Sequence, residues 1–179
     1  MAKFNQFVVT VASKSRSQFI VEHPAPMLTL FSPLDAMEDE WTFNTSTSSM
    51  RHVQTLEKEV KLAQDAANYH AFTISKSACS PFQKRISVGR ASNNDIALPH
   101  RSVSKIHAYV ILDEVQATLQ DANSRNGTFV DNRRLLSDKA TKINSGDILT
   151  FGAISLTFLD AGAFYDLMKR HLEPLTFVQ

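Results

Sequence analysis

The spacing of apolar residues divides the chain into regions of different character. From residue 72 onward, short apolar or alternating runs follow one another: "FTI", "ISV", "DIAL", "IHAYVIL", "VQATLQ", "GTFV", "DILTF" and "ISLTFL". Turn residues separate them at Ser92–Asp95, Asp113-Glu114, Asp131-Asn132, Asn144–Asp147 and Gly152. Many short strands at this spacing predict a sandwich of two antiparallel sheets over residues 70–160. "HAYVILDEVQATLQ" reads as one hairpin, and "DILTFGAISLTFLD" as a second that turns at Gly152-Ala153. In 161–179, after Asp160 as N-cap, Phe164, Leu167, Met168 and Leu172 fall on one face of a helix. That helix is expected to cover a sheet edge or an end of the sandwich.

The first seventy residues have no such regularity. Residues 1–31 hold "FVVTV", "QFIV" and "MLTLF" without a clear period. They read as strands or extended segments packed on something else, with no assigned role. Residues 32–50, "SPLDAMEDEWTFNTSTSSM", read as an acidic, Ser/Thr-rich linker, with too little apolar surface to offset the entropy of ordering it. In 51–69, Val53, Leu56, Val60, Ala63 and Ala67 recur at spacings of three and four, which predicts a short amphipathic helix. Its length, about two heptads, favours packing on its own domain over a dimer zipper. The expected fold class is all-β, with a short C-terminal helix and a mixed N-terminal extension.

Composition narrows the function classes. The chain has 179 residues and a net charge of +1, with 6 Lys+Arg against 8 Asp+Glu in residues 1–70 and 13 against 10 in 71–179. That asymmetry is too small for a nucleic-acid-binding face. No apolar run approaches the roughly 20 residues needed to span a membrane, and the run Phe7–Ala12 is too short for a secretory signal. The single cysteine, Cys79, can form no intrachain disulfide and has no His or acid at metal-ligand spacing. The expectation is a cytoplasmic protein with no metal and no cofactor. In that compartment the Asn126-Gly127-Thr128 and Asn44-Thr45-Ser46 triplets are not glycosylation acceptors.

The chemistry concentrates in three inter-strand loops: Gly89-Arg90 after "ISV", "PHRSVSKIHAYV" after "DIAL", and "DANSRNGT" after "TLQ". If they gather at one end of the sandwich, that end holds Arg90, Arg101, Lys105 and Arg125 with Ser102, Ser104 and the Asn126 amide. Arginine's planar fork suits phosphate, and its charge does not titrate near neutral pH. Hydrogen bonds to a charged group contribute about 1.5–3 kcal/mol each, so two or three support micromolar binding of a phosphorylated peptide.

Gly89-Arg90, Ser104-x-x-His107 and Asn126-Gly127, in this order and at these separations in a β-rich chain, resemble the forkhead-associated (FHA) domain. The resemblance covers about residues 70–160, including "SVGRASNNDIAL", "SVSKIHAYV", "DANSRNGTFV" and the "GDILTFGAISLTF" hairpin. It implies an FHA-type β-sandwich of two sheets, and a phosphothreonine-binding interaction module that is not an enzyme. Its partner would be a threonine-phosphorylated protein in a Ser/Thr kinase pathway, with no nucleic acid and no membrane. By resemblance, Arg90 and Ser104 would hold the phosphate, Lys105 would add a contact to phosphate or peptide, and Asn126 would bond the peptide backbone. Gly89 would permit close backbone approach, Gly127 the turn, and His107 would hold the Ser104 loop in place. Arg101 and Ser102 would read neighbouring peptide residues. Arg125 stands where the family often has a small hydroxyl residue, and either lies over the ligand or points to solvent. Asp131-Asn132 replaces the usual Asn-Gly of the next turn, and both residues tolerate positive φ. A phosphothreonine γ-methyl buried in a small apolar pocket would contribute about 0.8 kcal/mol of preference over phosphoserine.

Two alternatives and one extension stand beside this reading. A hydrolase built on Ser104 and His107 would need an orienting acid and an oxyanion site, and the sequence has no nucleophile-elbow signature. An FHA-like scaffold could instead bind its partner without phosphate. Thr42, Thr45 and Thr47, close behind the acidic "EDEW", are possible phosphoacceptors through which the chain could bind itself or a neighbour.

Overall fold

The computed structural model describes residues 2–3, 5–30, 70–76, 85–113 and 116–172. The linker 32–50 with Thr42, Thr45 and Thr47, the expected helix at 51–69, and Cys79 lie outside these residues. The strands, in chain order, are β1 Ala2–Lys3, β2 Met27–Leu30, β3 His70–Thr73, β4 Ile86–Gly89, β5 Ile96–Ala97, β6 Ala108–Leu112, β7 Ala117–Asp121, β8 Thr128–Val130, β9 Arg133–Arg134, β10 Thr141–Ile143, β11 Ile148–Phe151 and β12 Ile154–Leu159. Three helices accompany them: α1 Asn5–Ser13, α2 Arg16–Glu22 and α3 Ala161–Leu172.

The strands form a seven-stranded sheet, β1-β3-β2-β12-β11-β8-β9, and a five-stranded sheet, β10-β7-β6-β4-β5. The two-residue β4–β5 pairing is parallel and the other strand pairs are antiparallel. Alternation builds the core between the sheets. In β12, Ile154, Leu156 and Phe158 are buried while Ser155 is exposed. Val88, Val110, Leu119 and Ile143 of the five-stranded sheet belong to the same core cluster.

Both expected hairpins form. β6 pairs with β7 from Ala108↔Asp121 to Leu112↔Ala117, and β11 pairs with β12 up to Phe151↔Ile154 around Gly152-Ala153. The β8–β9 hairpin closes through Asp131 at φ 47° and Asn132 at φ 66°. Two successive positive φ values suit a type I′ turn, whose twist matches the flanking strands, so Asp-Asn here does the work of Asn-Gly.

The N-terminal segment departs from expectation. "FVVTV" lies in α1 and "QFIV" in α2, so they are helical rather than extended. Packing overrides the β-propensity of valine here. Phe7 and Val11, one helical turn apart, are buried, while Val9 between them is 72% exposed. α2 starts at a capping box in which Ser15 and Gln18 exchange side chain-to-backbone bonds. "MLTL" is a strand, β2, inserted between β3 and β12. It shows no alternation because both of its faces are covered. Leu28 faces the sandwich core, whereas Met27, with Ala71 and Leu159 of the flanking strands, packs beneath the helices.

α3 therefore covers the outer face of the seven-stranded sheet rather than an edge or an end. Asp160 caps it by accepting the Ala163 N–H at 2.7 Å. Phe164 and Met168 are fully buried, and Phe164 meets Phe7 edge-on at 5.2 Å between ring centroids. Tyr165 donates its hydroxyl to the Lys14 carbonyl at 2.9 Å, and Arg16 Nε contacts both oxygens of Asp166 at 2.9 and 3.1 Å. These contacts tie the two ends of the described chain into one layer.

Because β2 belongs to the core, Leu28→Ala should lower the unfolding free energy by about 2–5 kcal/mol, as for any buried leucine. Urea denaturation measures it. A loss below about 1 kcal/mol, the scale of a surface change, would show that β2 lies outside the cooperative unit.

Candidate functional site

Backbone and side-chain bonds fasten together the loops after β4, β5 and β7 and the β11–β12 turn. Arg90 N–H donates to Ser104 O at 2.8 Å, and Ala91 N–H to Lys105 O at 3.2 Å. Asn94 donates its amide to Ala91 O and Lys105 O, both at 2.7 Å. This close approach requires glycine at 89, where a Cβ would collide with the Lys105 carbonyl oxygen and stand 2.9 Å from Asn94 Nδ2.

His107 joins the second loop to the third. Its Nδ1 accepts the Ser104 backbone N–H at 3.0 Å, and its Nε2 lies 3.1 Å from Gly127 O. A ring nitrogen that accepts carries no proton, so His107 is the neutral tautomer that donates from Nε2 to Gly127 O. Its ring is fully buried, edge-on to Phe151 at 5.9 Å. Burial holds its pKa below the ordinary 6.5, against the opposing effects of the Gly127 carbonyl and the Asp121 charge. Both ring nitrogens are thus committed to backbone groups, and neither is placed as a base for the Ser104 hydroxyl.

Ser104 is satisfied on almost every side. Its N–H goes to His107, its C=O receives Arg90 N–H, and its Oγ accepts the Arg125 N–H at 3.1 Å. Beside it, Arg90 Nε donates to Val103 O at 3.2 Å, which aligns an otherwise exposed side chain. Lys105 and Arg125 are exposed. Among the described residues, no carboxylate lies within ion-pair distance of Arg90, Lys105 or Arg125. The acids nearest in sequence are turned to other work. Asp95 accepts the N–H and hydroxyl of Ser87. The buried Asp121 accepts the hydroxyls of Ser124, Thr128 and Ser137 and the N–H of Ser124. Burial alone would raise the Asp121 pKa, but these bonds outweigh it and hold the group below the usual carboxylate range.

Asn126 is exposed and donates Nδ2 to Ser102 O at 2.7 Å. Gly127 follows at φ +86°, and its carbonyl receives both His107 and the Gly152 N–H, the latter at 3.1 Å. Ser102, expected to read the ligand, is bonded to the scaffold. Its N–H and hydroxyl both bond His100 Nδ1, and its Oγ accepts the Ala153 N–H at 2.9 Å. Arg101, one residue earlier, is exposed. Sequence reasoning missed Asn94, which it treated as a turn residue, and Arg134. The Arg134 side chain lies over Gly127, with Nε 2.8 Å and Cζ 3.2 Å from where a Cβ would stand. The absence of a side chain at 127 was the signal for a neighbour there, although it could not say which residue fills the space.

The FHA-domain family model matches residues 86–152, which contain the loops after β4, β5 and β7. Over those residues the chain is similar to the FHA domain. The chain is 36% identical over 75 residues to the ABC transporter ATP-binding/permease protein Rv1747 of Mycobacterium tuberculosis, covering 42% of this chain and 8% of that protein. It is 26% identical over 129 residues to the transcriptional regulatory protein EmbR of M. tuberculosis, covering 70% of this chain and 31% of that one. The chain thus spans less than a third of the length of either relative. Among solved structures, M. tuberculosis EmbR in complex with low affinity phosphopeptide is similar at a TM-score of 0.44 and 25% identity, over 51% of this chain and 22% of that one. The FHA-2 domain of Rv1747 is similar at 0.39 and 25%, over 68% and 93%.

His107 provides a pH test. A pKa lowered by folding means that the unfolded chain binds the proton more readily. The stability carried by the neutral ring is fully present above about pH 6.5 and is lost as pH falls through the folded value. NMR titration should give a His107 midpoint below 6.5, with the Ser104 amide shifting at the same pH. A midpoint at or above 6.5 would contradict the buried, neutral bridge.

Proposed function

We propose that this protein is a phosphothreonine-dependent interaction module that binds phosphorylated segments of a partner protein through these loops. The observation that carries the reading is the state of Ser104. With its N–H, carbonyl and one Oγ lone pair used internally, its main remaining capacity is a hydroxyl proton to donate. That donor stands beside Arg90 and Lys105 on a surface whose nearest carboxylates are occupied elsewhere. The complement of such a donor cluster is a multiply charged anion rich in acceptor oxygens, which describes a phosphate.

Each expected residue then has a role. Arg90 and Ser104 hold the phosphate, and Lys105 adds charge. Asn126, with one amide proton on Ser102 O, offers Oδ1 to a peptide N–H beside the phosphothreonine. Arg101 contacts the flanking peptide, Arg125 contributes its backbone to Ser104 polarity, and Gly89, His107 and Gly127 shape the frame. Ser102 holds Asn126 and the β11–β12 turn rather than reading the ligand. The activity is binding, not catalysis, since the His107 nitrogens bond Ser104 N–H and Gly127 O instead of a nucleophile. The partner is a protein phosphorylated by a Ser/Thr kinase, met in the cytoplasm, with neither nucleic acid nor a membrane involved.

Calorimetric titration of a threonine peptide library in phosphorylated and unphosphorylated forms tests the reading. Arg90→Ala should weaken phosphopeptide binding roughly ten- to a hundredfold, the range for a lost charge-assisted bond. Its melting temperature should stay nearly unchanged. Equal affinity for the two peptide forms would favour a phosphate-independent scaffold, and a folded Arg90→Ala protein of full affinity would remove Arg90 from the site.

A further inference from the structure

The buried Asp121 carboxylate takes one of its hydrogen bonds from the surface. Asp121 ends β7 and is 2% exposed. It spans the following loop, accepting the Ser124 N–H at 3.1 Å and the hydroxyls of Ser124 and Thr128. Asn126 lies between those two anchors. The remaining donor is the Ser137 hydroxyl at 3.2 Å, which comes from the loop between β9 and β10. Thr128 is fully buried and Ser124 half-buried, but Ser137 is exposed, within a run, 136–140, that is exposed throughout. Few bonds pin that run: Asp138 N–H donates to Asp121 O at 3.1 Å, and Gln120 Nε2 to Asp138 O at 2.9 Å. Asp138 itself stands at φ 62°, the left-handed region that residues with a side chain enter at a cost.

The sequence around Ser137 carries a second signal. Arg133 and Arg134 precede it by four and three residues. Both are exposed, and among the described residues no carboxylate is within ion-pair distance of either. Protein kinases select acceptors partly by such charge patterns. Three hydroxyl residues in the chain stand three positions after an arginine: Ser104, Thr128 and Ser137. Ser104 is half-buried with its Oγ on the Arg125 N–H, and Thr128 is inaccessible. Ser137 alone of the three is open.

We propose that Ser137 is a phosphoacceptor for an arginine-directed Ser/Thr kinase, and that its phosphorylation loosens the Asn126 loop. The Ser137 oxygen forms a bond to the γ-phosphorus of a nucleoside triphosphate. The bond from that phosphorus to its bridging oxygen breaks, the nucleoside diphosphate leaves, and the hydroxyl proton goes to the kinase's base. Ser137 then has no proton to give Asp121, and a group of charge about −1.5 to −2 stands beside a carboxylate. Repulsion between like charges is strong where water is scarce, so the strain falls on the bonds from Asp121 to Ser124 and Thr128. Control of ligand binding in this way rests on the phosphothreonine reading above; the acceptor itself does not.

The test incubates the folded full chain with a Ser/Thr kinase of established preference for arginine three residues before the acceptor, and locates phosphate by peptide mass spectrometry. Wild type should carry it on Ser137, and Arg134→Gln should be modified there roughly tenfold more slowly, the scale of one lost charge-assisted bond. The phosphoprotein, unmodified wild type and Ser137→Ala are then compared. Phosphorylation should shift the Ser124 amide in NMR spectra and weaken binding of a phosphothreonine peptide from the library above about tenfold. Ser137→Ala, which loses the same hydrogen bond without adding charge, should stay within about threefold of wild type. A folded wild type unmodified at Ser137, or a phosphoprotein whose Ser124 amide or peptide affinity is unchanged, overturns the proposal. A wild type that binds no phosphothreonine peptide overturns the underlying reading and the control of it, with the acceptor still decided by the kinase arm.

Discussion

The loop end depends on one buried imidazole that must accept and donate at once. His107 takes the Ser104 N–H on one nitrogen and gives a proton to Gly127 O from the other. Only the neutral ring can do both. Its burial against Phe151 and the rest of the core makes the charged form costly, so the fold enforces the tautomer that the loops need. These bonds and the backbone links from Arg90 and Ala91 occupy the Ser104, Lys105 and Gly127 carbonyls. What remains at the surface is biased toward donors.

This division of labour separates charge by depth. Below the surface, Asp121 keeps its negative charge by accepting hydroxyls and an N–H, with no ion-pair partner among the described residues. Above it, Arg90, Lys105 and Arg125 remain exposed, where water and salt screen their mutual repulsion. A bound dianion would relieve that repulsion and form the charge-assisted bonds together. The cations therefore need no buried partner while the site is empty, and the framework beneath them is built from neutral or fully satisfied groups.

Much of this was legible in the sequence, for reasons that differ by element. β6–β7 and β11–β12 were readable because each alternates against one core and turns within a few residues. The meeting of the three loops was readable because three short motifs coincide in order and spacing. α1 and β2 were not. The valines of α1 favour strands, and only Phe7 and Val11 meeting Phe164 from the far end of the chain make that segment a helix. β2 conceals its period because both faces are buried. Ser102 could not be sorted into scaffold or ligand contact without seeing Ala153 approach its hydroxyl across 51 residues of sequence. Arg134 stayed hidden because what places it is the vacant side of a glycine.

The register of β2 against β3 has a topological consequence. Leu30 pairs with His70, so the chain leaves the sheet and re-enters it at adjacent positions. Residues 31–69 thus begin and end at one closed point of the sandwich. Closing such an excursion costs only about 0.6 kcal/mol more for each doubling of its length. The entropy of closing the β2–β3 connection is therefore nearly indifferent to its length.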